Sequence, residues 1–201
     1  KELQFEVIED KGNKKSKLEA LVRELVNRED FTETTEKAGI VFTPNVNGEF
    51  GCYNLSKSFY AQYPEKVNWF AGEIPKVDEY DDNGHKTGSK VPAMSIDAFK
   101  AHRTNVQKDF KKNIYPLLVA TKAFGMGIDK QNIFYTFHYG LPSSVEALYQ
   151  EAGRAGRWDK NLPENENKIG KCFVIYSPET YDSDRVGRLF HKDTTFSEMK
   201  E

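Results

Sequence analysis

Two arginines in the stretch QEAGRAGR, Gln150–Arg157, are the residues best suited to chemistry in this chain of 201 residues. Arg154 and Arg157 each follow a glycine, and three positions separate them. If the preceding helix continues, they share one face at i, i+3. If the glycines end it, both project from one tight turn. A guanidinium fork matches phosphate oxygens two at a time, so the pair is suited to gripping phosphate. The competing use is a positive charge pair complementing the dipole at a helix end.

A second candidate is VATKAFGMGIDK, Val119–Lys130. Its strand ends at Ala120, and Thr121 follows with a hydroxyl and an amide suited to a phosphate contact. Gly125, Met126 and Gly127 let backbone come close to a ligand. Asp129 could accept a ribose hydroxyl or orient an arginine. A glycine-rich connection needed only for its geometry is the alternative.

Two further stretches do not carry the chemistry they suggest. In GHKTGSK, Gly84–Lys90, only three residues separate the glycines and the lysine comes late, so the spacing of a phosphate loop is not met. DEYD, Asp78–Asp81, has acidic residues but no apolar strand to deliver them to a magnesium-bound phosphate, and reads as a solvated acidic loop. No metal site is expected. The two cysteines, Cys52 and Cys172, lie too far apart for a zinc motif and fit a reducing compartment.

The elements that must hold these residues alternate. LQFEVIE (residues 3–9) alternates apolar and polar residues as a strand does. SKLEALVRELV repeats leucine and valine at helical spacing, and Ser16 with Glu19 suggests a capping box at its start. GIVFT is a short buried strand, LSKSFYAQY a helix and KVNWF a strand. Residues from about 75 to 95 lack a clean period and read as an inserted, partly mobile loop. A helix over IDAFKAHRTNVQKDFKK, strands at PLLVA and NIFYTFHYG, and a helix capped by Ser143 and Glu146 follow. KCFVIYS and PETYDSDRVGRLF close the chain as a strand and a helix. This alternation predicts a single α/β lobe over residues 1–201, with helices on a mostly parallel sheet. Ligands gather at the carboxyl ends of strands in such sheets. TPNVNG (residues 43–48), TKAFGMGID and GRAGR are all expected there.

Bulk properties narrow the function classes. Net charge is −2, so no globally basic coat wraps nucleic acid, although a local basic face is compatible with it. Seven lysines and arginines against two acids between Ala98 and Lys130 mark such a face. No apolar run is long enough for a membrane span. The chain opens at Lys1 without a methionine and reads as a piece of a longer protein. A cytoplasmic setting, in bacteria the cytoplasm or nucleoid, is expected.

LLVATKAFGMGID followed by FHYGLPSSVEALYQEAGRAGR resembles the second motor lobe of RecQ-family ATP-dependent DNA helicases. NVQKDFKKN, WFAGEI and CFVIYSPETYDSDRVGRLF extend the resemblance over nearly the whole chain apart from the insertion. It implies a RecA-like three-layer αβα lobe. It also implies ATP with Mg2+, held mainly by a first RecA-like lobe of the same polypeptide. Arg157 would be the arginine finger, with Arg154 beside it at the γ-phosphate and Gln150 sensing nucleotide or orienting water. Gly127 and Asp129 would line the ribose and the face toward the first lobe. Single-stranded or forked DNA would cross the top of the lobe, touching Thr121, Lys122, Thr43 and Arg103. The chain departs from the family at FTPNVNG, where an arginine is usual, and at Trp158, which intervenes before Asp159. Two other readings are a non-catalytic nucleic-acid-binding or scaffold module with the same fold, and the lobe of an RNA helicase.

Overall fold

The computed structural model describes residues 2–10, 12–27, 37–125, 130–156, 169–177 and Asp182. Its main sheet has six parallel strands. These are β1 (Glu2–Glu9), β2 (Ala38–Thr43), β3 (Val67–Phe70), β6 (Leu117–Thr121), β7 (Ile133–Tyr139) and β8 (Ile169–Tyr176), in the spatial order β1-β8-β7-β2-β6-β3. Among the described residues four helices flank it: α1 (Lys14–Val26), α2 (Cys52–Gln62), α3 (Ile96–Lys111) and α4 (Val145–Ala152). The strands β2, β6 and β7 are buried along their whole length, so both of their faces must be apolar. That explains why their sequences read as continuous apolar runs.

Alternate residues of these strands feed two cores. Val41, Leu117, Val119, Phe137 and Tyr139 meet Leu18, Val22, Leu55 and Phe59 of α1 and α2. Ile40, Phe42, Leu118, Ala120 and Cys172 meet Val106 and Phe110 of α3 and Ala152 of α4. Full burial of a side chain such as Phe59 or Phe110 stabilises by roughly 1.5–3 kcal/mol. The result is the expected three-layer αβα lobe with a parallel central sheet.

Three local expectations change. The helix α1 begins at Lys14, two residues before Ser16, with Asn13 at its N-cap. Ser16 Oγ donates to Asn13 Oδ1 at 2.6 Å, while the Asp10 carboxylate takes the amides of Gly12 and Asn13. An acid upstream thus takes the N-cap amide, which is one half of what a capping box would have done, and the Asn13 side chain does not cap a helical amide. At α4 the capping residue is Ser144 and not Ser143: its Oγ accepts from Ala147 N at 3.1 Å.

The insertion is an antiparallel hairpin, with β4 at Lys76–Tyr80 and β5 at Lys86–Pro92. Asp81 Oδ1 takes the amides of Asn83 and His85, and Gly84 N donates to Asp81 O. The Asp-Asn-Gly sequence at residues 82–84 is a turn signal that the missing apolar period conceals. An exposed hairpin has no core face, so it shows no alternation. Asp78, part of the acidic stretch, pairs with Lys86 at 2.6 Å across it.

Candidate functional site

Three of the predicted residues stand together at the carboxyl edge of the sheet. Thr43 and Thr121 end β2 and β6 and are partners in register. Both are buried, and Lys122, next along the chain, is exposed. Thr43 Oγ1 donates to Asn45 O at 3.0 Å, which turns the loop after β2 back on itself. Cys52 N and Tyr53 N then donate to Asn45 O and Val46 O. Gly51 is required there, because a Cβ would lie 2.4 Å from Asn47 O. Asn47 Oδ1 accepts from Lys76 N at 2.7 Å, tying the hairpin to the same loop. Between this loop, Gly72 and the Thr121–Ala123 segment runs an open crevice of about 570 Å³.

A smaller cavity of about 80 Å³ lies beside it and shares Pro44 and Lys122 with it. Thr43, Ser143, His138 and Glu151 also line it. His138 is only 1% exposed, stacks on Phe42 at 5.5 Å, and holds Nδ1 3.0 Å from Glu151 Oε2 on α4. A carboxylate can only accept, so the Nδ1 hydrogen faces Glu151. This pair was not among the predicted residues. A histidine inside the apolar run NIFYTFHYG is the one trace of it in the sequence.

Arg103 stands apart from that group, on α3. Its guanidinium lies over the rings of Phe70, at 4.9 Å, and Phe99, at 5.8 Å. Its Nε is buried without a hydrogen-bond partner. With Lys100, Thr104 and Gln107 it lines a separate shallow pocket. Lys130, counted in the basic stretch, does not belong to any solvent face. It is 4% exposed, bonds Asn113, sits 4.9 Å from the Phe110 ring, and burial lowers its pKa to about 8.

The GRAGR turn is at the opposite edge from Thr43 and Thr121. Helix α4 runs back from the carboxyl edge and ends at Ala152 with Gly153 as its C-cap. Gly156, at φ 81°, donates its amide to the carbonyl of Ile133, the first residue of β7. Arg154 therefore stands near the amino ends of the strands, and not at the carboxyl edge where the sequence placed it. Gln150 is exposed on the last turn of α4. Arg157, Gly127 and Asp129 lie outside the described residues. The connection between β6 and β7 leaves the carboxyl edge at Thr121 and reaches the amino edge by Ile133. Thr43, Thr121 and Lys122 thus stand at the carboxyl edge, and the turn after α4 closes at the amino edge at Gly156.

Among the described residues no group of three or more His, Cys, Asp or Glu could hold a metal ion, and no helix is long and apolar enough to cross a membrane. The donors present, an arginine and an exposed glutamine, suit phosphate oxygens and not Mg2+.

The family described as helicase conserved C-terminal domain matches residues 16–159, well over half of the chain. The ATP-dependent DNA helicase RecQ of Haemophilus influenzae is 38% identical over 127 residues, which are 63% of this chain and 19% of that protein. The ATP-dependent DNA helicase Q-like SIM of Arabidopsis thaliana is 51% identical over 90 residues, 45% of this chain and 9% of that protein. This chain therefore spans less than a fifth of either relative.

Among solved structures, the E. coli DEAD-box protein SrmB superposes with a TM-score of 0.57 at 16% identity, covering 89% of this chain and 79% of that one. A DEAD box protein of Methanococcus jannaschii gives 0.53 at 22% identity, covering 89% and 36%. These likenesses show the fold: a RecA-like helicase lobe. With the motifs, the parallel sheet and the matched family in agreement, the chain belongs to the helicase conserved C-terminal domain family and is similar within it to RecQ DNA helicases.

Proposed function

We propose that this chain is the second motor lobe of an ATP-dependent DNA helicase that acts on single-stranded or forked DNA in the cytoplasm or nucleoid. The observation that carries the reading is the pairing of GMGID with QEAGRAGR in a chain similar to RecQ helicases. A first lobe of the same polypeptide would hold ATP and its Mg2+. ATP bound there would supply the phosphoryl group that is transferred to water.

This chain's residues contribute charge and position. Arg157 acts as the arginine finger, with Arg154 and Gln150 beside it and Gly127 and Asp129 toward the ribose. Phosphoryl transfer gains chiefly from such placed charge. At the carboxyl edge Thr43, Thr121 and Lys122 offer a hydroxyl-and-cation surface to a phosphodiester backbone, with Arg103 on its α3 flank. Forked intermediates of repair and recombination are the substrates this would suit.

The test is ATP turnover with single-stranded DNA. The isolated chain is expected to show none, and sustained hydrolysis by it would overturn the reading. In the protein that also carries the first lobe, Arg157→Ala is expected to lower kcat by about 10³-fold or more. Nucleotide affinity should change little. An unchanged kcat would remove the finger assignment. Equal unwinding of matched RNA and DNA forks would favour the RNA alternative. An upstream reading frame without a phosphate loop would favour a non-catalytic module.

A further inference from the structure

We infer that His138 and Glu151 form a positioning pair that couples strand binding at the carboxyl edge to the orientation of helix α4 and of Arg154 in the turn that follows it. The inference rests on the carboxyl edge being the DNA face, as proposed above.

The geometry has two halves. His138 lines the 80 Å³ cavity together with Thr43, Lys122 and Ser143, and its Nε2 is buried with no hydrogen-bond partner. A buried polar atom left unsatisfied costs about 1–3 kcal/mol and is rarely kept without a use. On its other side the ring reaches Glu151 on α4, one residue after Gln150 and three before Arg154.

Helix α4 has eight residues, too short to hold its own axis without tertiary anchors. Ala152 packs into the core, and Tyr149 meets Phe5 edge-on at 5.9 Å. The His138–Glu151 bond is a polar anchor between them. It fixes the roll of α4, and the roll sets where Gln150 and Arg154 face. A strand phosphate held at Lys122 displaces the wall of the cavity that the His138 side chain also lines, and the Nδ1 bond carries that displacement to Glu151. The carboxyl edge and α4 are thereby linked through one hydrogen bond.

Amide substitutes separate this role from simple packing. An asparagine nitrogen can replace Nδ1, keeping the bond to Glu151. A glutamine nitrogen can replace Nε2 and loses that bond. The experiment titrates this chain with a short deoxythymidine oligonucleotide and follows backbone amide resonances by NMR. In the unsubstituted chain the amides of Gln150 and Arg154 are expected to shift along with those of Thr121 and Lys122. With His138→Asn the distant shifts persist. With His138→Gln they vanish while Kd stays within about threefold.

Glu151→Ala cuts the same link from the helix side without touching the core. It should behave like His138→Gln, and it serves if a histidine variant does not fold. Distant shifts that survive in both His138→Gln and Glu151→Ala overturn the coupling and leave the DNA face intact. Loss of the distant shifts with asparagine as well as glutamine also overturns it, because the Nδ1 bond to Glu151 is then not what carries the signal. Absence of any oligonucleotide binding by the unsubstituted chain overturns the DNA face and the coupling with it.

Discussion

Lys130 shows how burial changes what a charged residue can contribute. In sequence it extends a basic stretch that looks like a nucleic-acid surface. In the fold it is enclosed by α3, and desolvation lowers its pKa to about 8. The folded protein thus binds this proton more weakly than the unfolded chain. Below pH 8 both states are charged and the cost of burying the charge is fully present. As pH rises from 8 toward about 10.5 the folded state loses the proton first, and stability rises. The buried thiol of Cys52, pushed up to about 12, and the raised Tyr115 and Tyr139 act in the opposite direction at alkaline pH. The clean quantity is therefore the difference between Lys130→Met and the unsubstituted chain. The variant is expected to be more stable by roughly 1–3 kcal/mol at pH 7. That advantage should shrink progressively between pH 8 and 10 in urea titrations. A constant difference would mean that Lys130 is not held in the enclosed site.

At the scale of elements, α4 carries the most consequence for its size. Eight residues give little intrinsic helix stability, so its cap matters. Ser144 Oγ accepts the Ala147 amide, whereas Ser143 lies one position too early. Ser144→Ala should cost about 1 kcal/mol and Ser143→Ala less than about 0.5 kcal/mol in chemical denaturation. Equal costs would return the cap to Ser143. Spacing favours Ser143, because Glu146 stands three residues after it and Ala147 three after Ser144. The backbone angle that ends the preceding loop selects between them. The hairpin β4–β5 was hidden for a related reason: strands are recognised by the face they bury, and this one buries little.

At the scale of the molecule, a buried ion pair fastens the ends of three neighbouring strands. Lys14 Nζ lies 2.8 Å from Asp182 Oδ2, and Asp182 also accepts the amides of Leu141 and Ser177, just beyond β7 and β8. Lys14 begins the helix that follows β1. Lys14→Met would leave a fully buried carboxylate without its cation, and a loss of about 3–5 kcal/mol is expected in thermal or urea unfolding. A loss under 1 kcal/mol would show that the carboxylate is rehydrated or protonated. Neither residue stands out in sequence, because 168 positions separate them and each sits among ordinary polar neighbours.

The sequence by itself determined the alternation of strands and helices, hence the parallel sheet, and the motifs that mark a helicase lobe. Apolar periodicity and glycine-arginine spacing are local properties, legible wherever the chain goes. Only the tertiary structure decided which edge each motif reaches. Thr43, Thr121 and Lys122 meet because β2 and β6 are neighbours in register. The turn that carries Arg154 leaves them because it closes on Ile133, at the start of β7. Strand order and the direction of each crossover follow from the packing of two cores at once, which no single stretch of sequence contains. His138 and Glu151 become partners only once β7 and α4 lie side by side.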